Sequence, residues 1–142
     1  MDSFSYALLA ALCWGVAPVF GKLGLANISA TAGLIARTFL AGGLVAPWVI
    51  YRGGLVYLAA IPFRAWGLLA MEALLMTVAG DLAYFMALKR GQPAEVNLLV
   101  ALAPFITLLV SAPLFGEEVT RSKLLGGFLI CAGAAVVGLG AR

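Results

Sequence analysis

The sequence predicts an all-α integral membrane protein of five transmembrane helices. Hydrophobic residues make up 64% of its 142 positions and charged residues only 11%, with a mean hydropathy of +1.10, far too apolar for an ordinary water-soluble domain. Five apolar stretches each come close to the roughly 20 residues that a helix needs to cross a bilayer core. The polar tracts between them are too short to build a separate aqueous domain, so residues 1–142 read as one transmembrane unit.

The first helix is expected at about Phe4 to Leu25. It carries Trp14, Pro18 and Lys22 at spacings of four, near one stripe of a 3.6-residue helix. An internal proline removes a backbone hydrogen bond and kinks the helix. Lys22, near the end, reads as a side chain that snorkels to the surface. No basic region precedes the apolar run and no clear cleavage site follows it, so a retained helix is expected rather than a signal peptide. Asn27 or Ser29 in the next link suits a helix cap.

The second helix, about Thr31 to Tyr51, has Arg37 two turns inside. A guanidinium stays charged, so at that depth it needs an anion, a carbonyl or water. Gly42, Gly43 and Pro47 allow close helix approach and a bend. The link Arg52 to Arg64 reads as either a loop or a short interfacial stretch.

The third helix, Trp66 to Leu88, is the stretch around which the others are arranged: it is apolar enough for lipid yet carries Glu72 and Asp81. Each ionised carboxylate at membrane depth costs about 2.5 to 3.5 kcal/mol on insertion scales, so it is expected to face protein, water or a cation. On an uninterrupted α-helix Asp81, Tyr84, Phe85 and Leu88 share a face. Glu72 and Asp81, about 900° apart in rotation, point in opposite directions.

The fourth helix, about Ala94 to Leu114, follows Pro93, a residue suited to a first turn. Asn97, Ala101, Pro104, Leu108 and Ser111 form a small and polar stripe that suits packing or a water-lined cavity. The fifth, about Ser122 to Leu139, is rich in small residues and reads as a helix-packing face.

Net charge is +3, but the nine basic residues never form a run, which argues against nucleic acid and against a polybasic lipid anchor. Cys13 and Cys131 lie in apolar segments of a chain without histidine, so they read as packing residues, with no metal site and no cofactor expected. The chain has no His and no Ser or Cys with a recognisable general base, so it is not expected to be an enzyme, and without an ATP-binding loop any energy is expected to come from gradients.

Five crossings place the termini on opposite sides. Arg52, Arg64, Arg121 and Lys123 then lie on the N-terminal side, and Lys22, Lys89, Arg90 and Arg142 on the other. Orientation follows an excess of Lys and Arg in cytoplasmic loops, and here the two sets balance. Insertion in both orientations is expected, which permits an antiparallel two-fold dimer, the unfused equivalent of an inverted repeat. A fixed orientation, or a different partner chain, is the alternative. Arg37 and Asp81 fall at a similar depth of about 10 Å from one side, so an ion pair is expected. Glu72, nearer the other side, is the better proton-carrying candidate.

These residues carry a resemblance. Trp14, Pro18 and Lys22, then Arg37, then YFMALKRGQPAEVN from Tyr84 to Asn97 and LAPFITLLVSAPLFGEEVTRSKLLGGFLICAGAAVVG from Leu102 to Gly138 resemble a single EamA repeat of the drug/metabolite transporter superfamily. The resemblance covers nearly the whole chain and is most specific at the join of the last two helices. Larger members contain two such repeats of opposite orientation. The resemblance therefore implies one half of an inverted-repeat transporter, completed as an antiparallel homodimer in a bacterial or archaeal plasma membrane. It implies a permease, often an exporter, for amino acids, related metabolites or other small organic molecules. The related small multidrug-resistance proteins use a glutamate in the first helix that is missing here, so their coupling is not carried over.

On this reading Trp14, Tyr84, Asn97, Pro104, Thr107 and Ser111 are the expected substrate-binding residues, with Arg37, Glu72 and Asp81 as charged groups near them. Aromatic and hydroxyl groups with few free charges suit a zwitterionic or amphipathic substrate. The alternatives are a non-transporting membrane subunit that packs through the fifth helix, and a lipid flippase or scramblase.

Overall fold

A computed structural model of the chain describes residues 3–140, and Arg142 of the charge balance lies outside the described residues. The described residues fold as α1 (Ser3–Gly24), α2 (Ala30–Tyr51), α3 (Leu55–Ala59), α4 (Phe63–Ala73), a π-helical stretch (Leu74–Gly80), α5 (Asp81–Arg90), α6 (Pro93–Val100), α7 (Ala103–Phe115) and α8 (Arg121–Gly140). They make five spans long and apolar enough to cross a membrane: Ser3–Gly24, Ala30–Tyr51, Phe63–Arg90, Pro93–Phe115 and Arg121–Gly140. Most large apolar side chains are exposed, the arrangement expected where lipid rather than water is the surrounding solvent.

Local chemistry sets the boundaries. Ser29 caps α2, its Oγ accepting from the Ala32 amide at 3.1 Å, so of the two cap candidates in that link serine is the one used. Gly53, at φ +67°, turns the chain out of α2 in a left-handed conformation that glycine tolerates, and the link to the third span then contains the short helix α3. Gly116, at φ +65°, ends α7 in the same way.

Two spans depart from a plain α-helix. In the third, the Asp81 amide donates to the Met76 carbonyl, five residues back, at the end of the π stretch. A wider turn winds more slowly, so the 900° separation of Glu72 and Asp81 expected for continuous α-helix does not hold. The fourth span breaks at 101–102. Pro104 has no amide hydrogen and its ring clashes with a carbonyl four residues back, so α6 stops at Val100 and Pro104 becomes the second residue of α7. The Leu102 amide turns back to Leu99 O at 3.2 Å. The stripe from Asn97 to Ser111 is therefore interrupted rather than continuous.

The chain divides into two compact units, Phe20–Arg90 and the described parts of 1–19 with 91–142. In the first, Leu25, Ala30, Phe85 and Leu88 form a buried cluster, with Leu34, Leu82 and Tyr84 against it. Gly33 admits the close approach of Leu25 and Phe85 between α2 and α5. In the second, α8 packs on α6 and α7, with Val96 and Ala134 buried. Phe105 sits over Gly127 and Leu99 near Gly138. Gly126 and Gly133 face open space, as do Gly42 and Gly43 on α2, which were expected to allow close approach.

Candidate functional site

The charges of the Phe20–Arg90 unit follow from one packing seam. Gly33 on α2 receives Phe85 of α5. One helical turn onward from Gly33 is Arg37, and one turn back from Phe85 is Asp81, so packing the notch brings the two charges together. The Arg37 guanidinium donates to Asp81 Oδ2, the ion pair expected from their matched depths. It also lies over the Phe85 ring, 5.3 Å from the centroid. Tyr84 stands beside them, its ring 6.2 Å from that of Phe85. The Arg37 side chain is 47% exposed and that of Asp81 21%, so the pair is reachable from outside the unit.

Two lysines close the same end. Lys22 Nζ donates to the carbonyls of Leu88 at 2.7 Å and Lys89 at 3.1 Å. Lys89 Nζ in turn donates to Ile28 O in the link before α2. The last carbonyls of a helix have no partner within it, and a cation there also suits the helix dipole. Lys22 is thus part of the fold, tying the end of the first span to the last turn of α5. The sequence alone places Phe85 on the Asp81 face and Lys89 in the charge balance without assigning either a contact, although the spacing of four from Asp81 to Phe85 to Lys89 is visible in it.

Glu72 is different. It is exposed on α4, and among the described residues it has no ion-pair or hydrogen-bond partner.

The other unit holds the remaining expected residues. Trp14 is 69% exposed on α1, Asn97 is half-buried on α6, and Pro104 opens α7. Thr107 and Ser111 are brought together: with Ile106, Val110, Leu114 and Phe115 they line a shallow, almost wholly apolar groove of about 310 Å³. Thr107 donates its hydroxyl to Ala103 O at 3.1 Å, which leaves oxygen lone pairs to accept from a ligand. A second open groove in the Phe20–Arg90 unit runs along Thr38, Phe39, Gly42, Gly43 and Ala46.

Residues 3–139 match the model of the EamA-like transporter family. A Sinorhizobium protein described as an uncharacterized transporter in the cobO 3' region is 33% identical over 132 residues, covering 93% of each chain. An uncharacterized transporter of Archaeoglobus fulgidus is 27% identical over 127 residues, 87% of this chain but only 44% of the relative's length. No solved structure gives a significant match. With five membrane-spanning helices and a family match across almost its full length, this integral membrane protein belongs to the EamA-like transporter family.

Proposed function

We propose that the chain carries small organic metabolites, amino acids or related zwitterionic and amphipathic compounds, as an exporter or facilitator. Two protomers inserted in opposite directions alternate the access of a shared pathway. The observation that carries this reading is Glu72, a carboxylate exposed within a membrane span and without an ion-pair or hydrogen-bond partner among the described residues. Such a group needs protein, water or a cation against it, and a second copy enclosing a wet pathway supplies the first two. The relative of which this chain spans 44% supports the same reading, because a protein of that length has room for two such domains.

Trp14, Asn97, Pro104, Thr107 and Ser111 are the residues of their unit proposed to recognise the substrate, and Tyr84 is proposed by itself as a substrate-contacting residue of the Phe20–Arg90 unit. Thr107 and Ser111 are the two hydroxyl-bearing residues along an almost wholly apolar groove, which suits the apolar part of an amphipathic substrate. Arg37 and Asp81 neutralise each other and hold α2 to α5, which leaves Glu72 as the group proposed to carry a proton or meet a cationic end of the substrate.

Reconstitution into liposomes tests the proposal. Amino acids, aromatic amines and organic cations are offered in turn with and without a proton gradient. Saturable movement of at least one class supports it, and failure of all of them to move contradicts it.

A further inference from the structure

The third span is held unevenly along its length. α5 is fixed from end to end: Asp81 takes the Arg37 guanidinium, Phe85 fills the notch at Gly33, and Leu88 is fully buried with Gly21 beneath it. Lys22 and Lys89 then tie its last turn down. α4 has none of this. No residue of α4 is buried, and among the described residues none of its side chains makes an ion pair or hydrogen bond to another helix. Within the Phe20–Arg90 unit α2 packs along α5, whereas α4 packs chiefly on the π stretch that continues it.

The boundary between the fixed and the unheld half is the π stretch Leu74–Gly80. It separates the two acids of the span, with Glu72 on the unheld side and Asp81 on the fixed one. At its end stands Gly80, where an added Cβ would lie 3.0 Å from the Leu75 carbonyl oxygen, so glycine suits the wide turn better than alanine does. One residue gained or lost by a π turn relative to an α turn rotates what lies beyond it by about 100°.

We propose that Leu74–Gly80 is a swivel: by exchanging π for α winding it turns α4, and with it the Glu72 carboxylate, about an α5 that stays fixed, and Gly80 is the positioning residue that permits the exchange. Glu72 is thereby presented in two directions while the Arg37–Asp81 pair remains closed. The inference adds a moving part to the transport reading but rests on the geometry of the Phe20–Arg90 unit alone.

The test uses spin-label pairs in a variant with Cys13 and Cys131 replaced, held in lipid nanodiscs and diluted with unlabelled protein so that distances are within one protomer. One pair, Leu44→Cys with Leu68→Cys, reports α2 against α4. The other, Leu40→Cys with Met86→Cys, reports α2 against α5. All four positions are exposed. The α2–α4 pair is expected to give two distances differing by about 5 Å or more, given a label radius of about 5 Å from the helix axis. The α2–α5 pair is expected to give one narrow distance. Gly80→Ala should collapse the α2–α4 distances to one and leave the other pair unchanged. A single narrow α2–α4 distance in the parent overturns the swivel, and so does an α2–α5 pair that is equally broad. If Gly80→Ala does not fold, the two parent measurements decide alone. Two distances in a protein that moves no solute in liposomes would count against the transport reading and leave the swivel standing.

Discussion

Lys22 on α1 donates from its ammonium to the carbonyl oxygen of Leu88 at 2.7 Å, so a charge from the first span closes the open end of the third. A second bond to Lys89 O, at 3.1 Å, makes it a two-point cap. Lys22→Met keeps the length of the side chain and removes both bonds. It is expected to lower stability by about 1–3 kcal/mol, the cost of leaving such groups unmet. Lys22→Arg should recover most of the loss. Thermal unfolding in one detergent checks this, and a Lys22→Met protein that melts with the parent would show the contact to be incidental.

Arg37 and Asp81 are expected to be coupled, because each is the other's ionic partner on facing helices. A double-mutant cycle with Arg37→Gln and Asp81→Asn should give a coupling energy of about 1 kcal/mol. The exchanged pair, Arg37→Asp with Asp81→Arg, should be closer to the parent than either of its single variants. Additive losses across the cycle would mean that the two side chains act independently.

Glycines on α2 should separate by environment. A Cβ at Gly33 meets Leu25 and Phe85 in the buried seam, so Gly33→Ala is expected to destabilise by about 1–3 kcal/mol. Gly42 faces open space, and Gly42→Ala should leave the isolated protomer unchanged or slightly more stable, since alanine is the better helix former. Unfolding midpoints of the two variants in dilute detergent compare them directly. Equal losses would mean that the seam is not where α2 and α5 meet.

The five spans are legible in the sequence because crossing lipid demands a length and a composition that few other structures share. The Arg37–Asp81 pair is legible too, since depth along a helix can be counted and a charge at membrane depth restricts the choice of partner. The π stretch was not, because no residue from Leu74 to Gly80 marks a five-residue hydrogen bond as Pro104 marks a break. Even the stripe from Asn97 to Ser111 misled, since it assumed one continuous helix, whereas a helix can restart at a proline, and at Pro104 it does. The role of Lys22 needed the fold, because the carbonyls it caps lie 66 and 67 residues away. Of the substrate residues, the sequence shows the spacing of Thr107 and Ser111 on one face, while the groove between them depends on Ile106, Val110, Leu114 and Phe115.

If Thr107 and Ser111 recognise substrate, Thr107→Val and Ser111→Ala should raise the KM of transport about 3- to 10-fold, as expected for losing one hydrogen bond of about 1 kcal/mol each. Neither variant should shift the melting temperature by more than a degree or two, because both side chains stand at an open groove. Initial rates across a substrate series give the KM values, and an unchanged KM in both variants would remove these hydroxyls from the site.

Orientation in the membrane is the most direct test of the pairing of opposed protomers. A single cysteine placed at Val119, in the link between α7 and α8, is labelled in sealed vesicles from the outside and then, after permeabilisation, from the inside, with Cys13 and Cys131 replaced. The account predicts labelling in nearly equal parts from the two faces, shifting toward one when two lysines are added to the same link. Labelling from one face alone would contradict it.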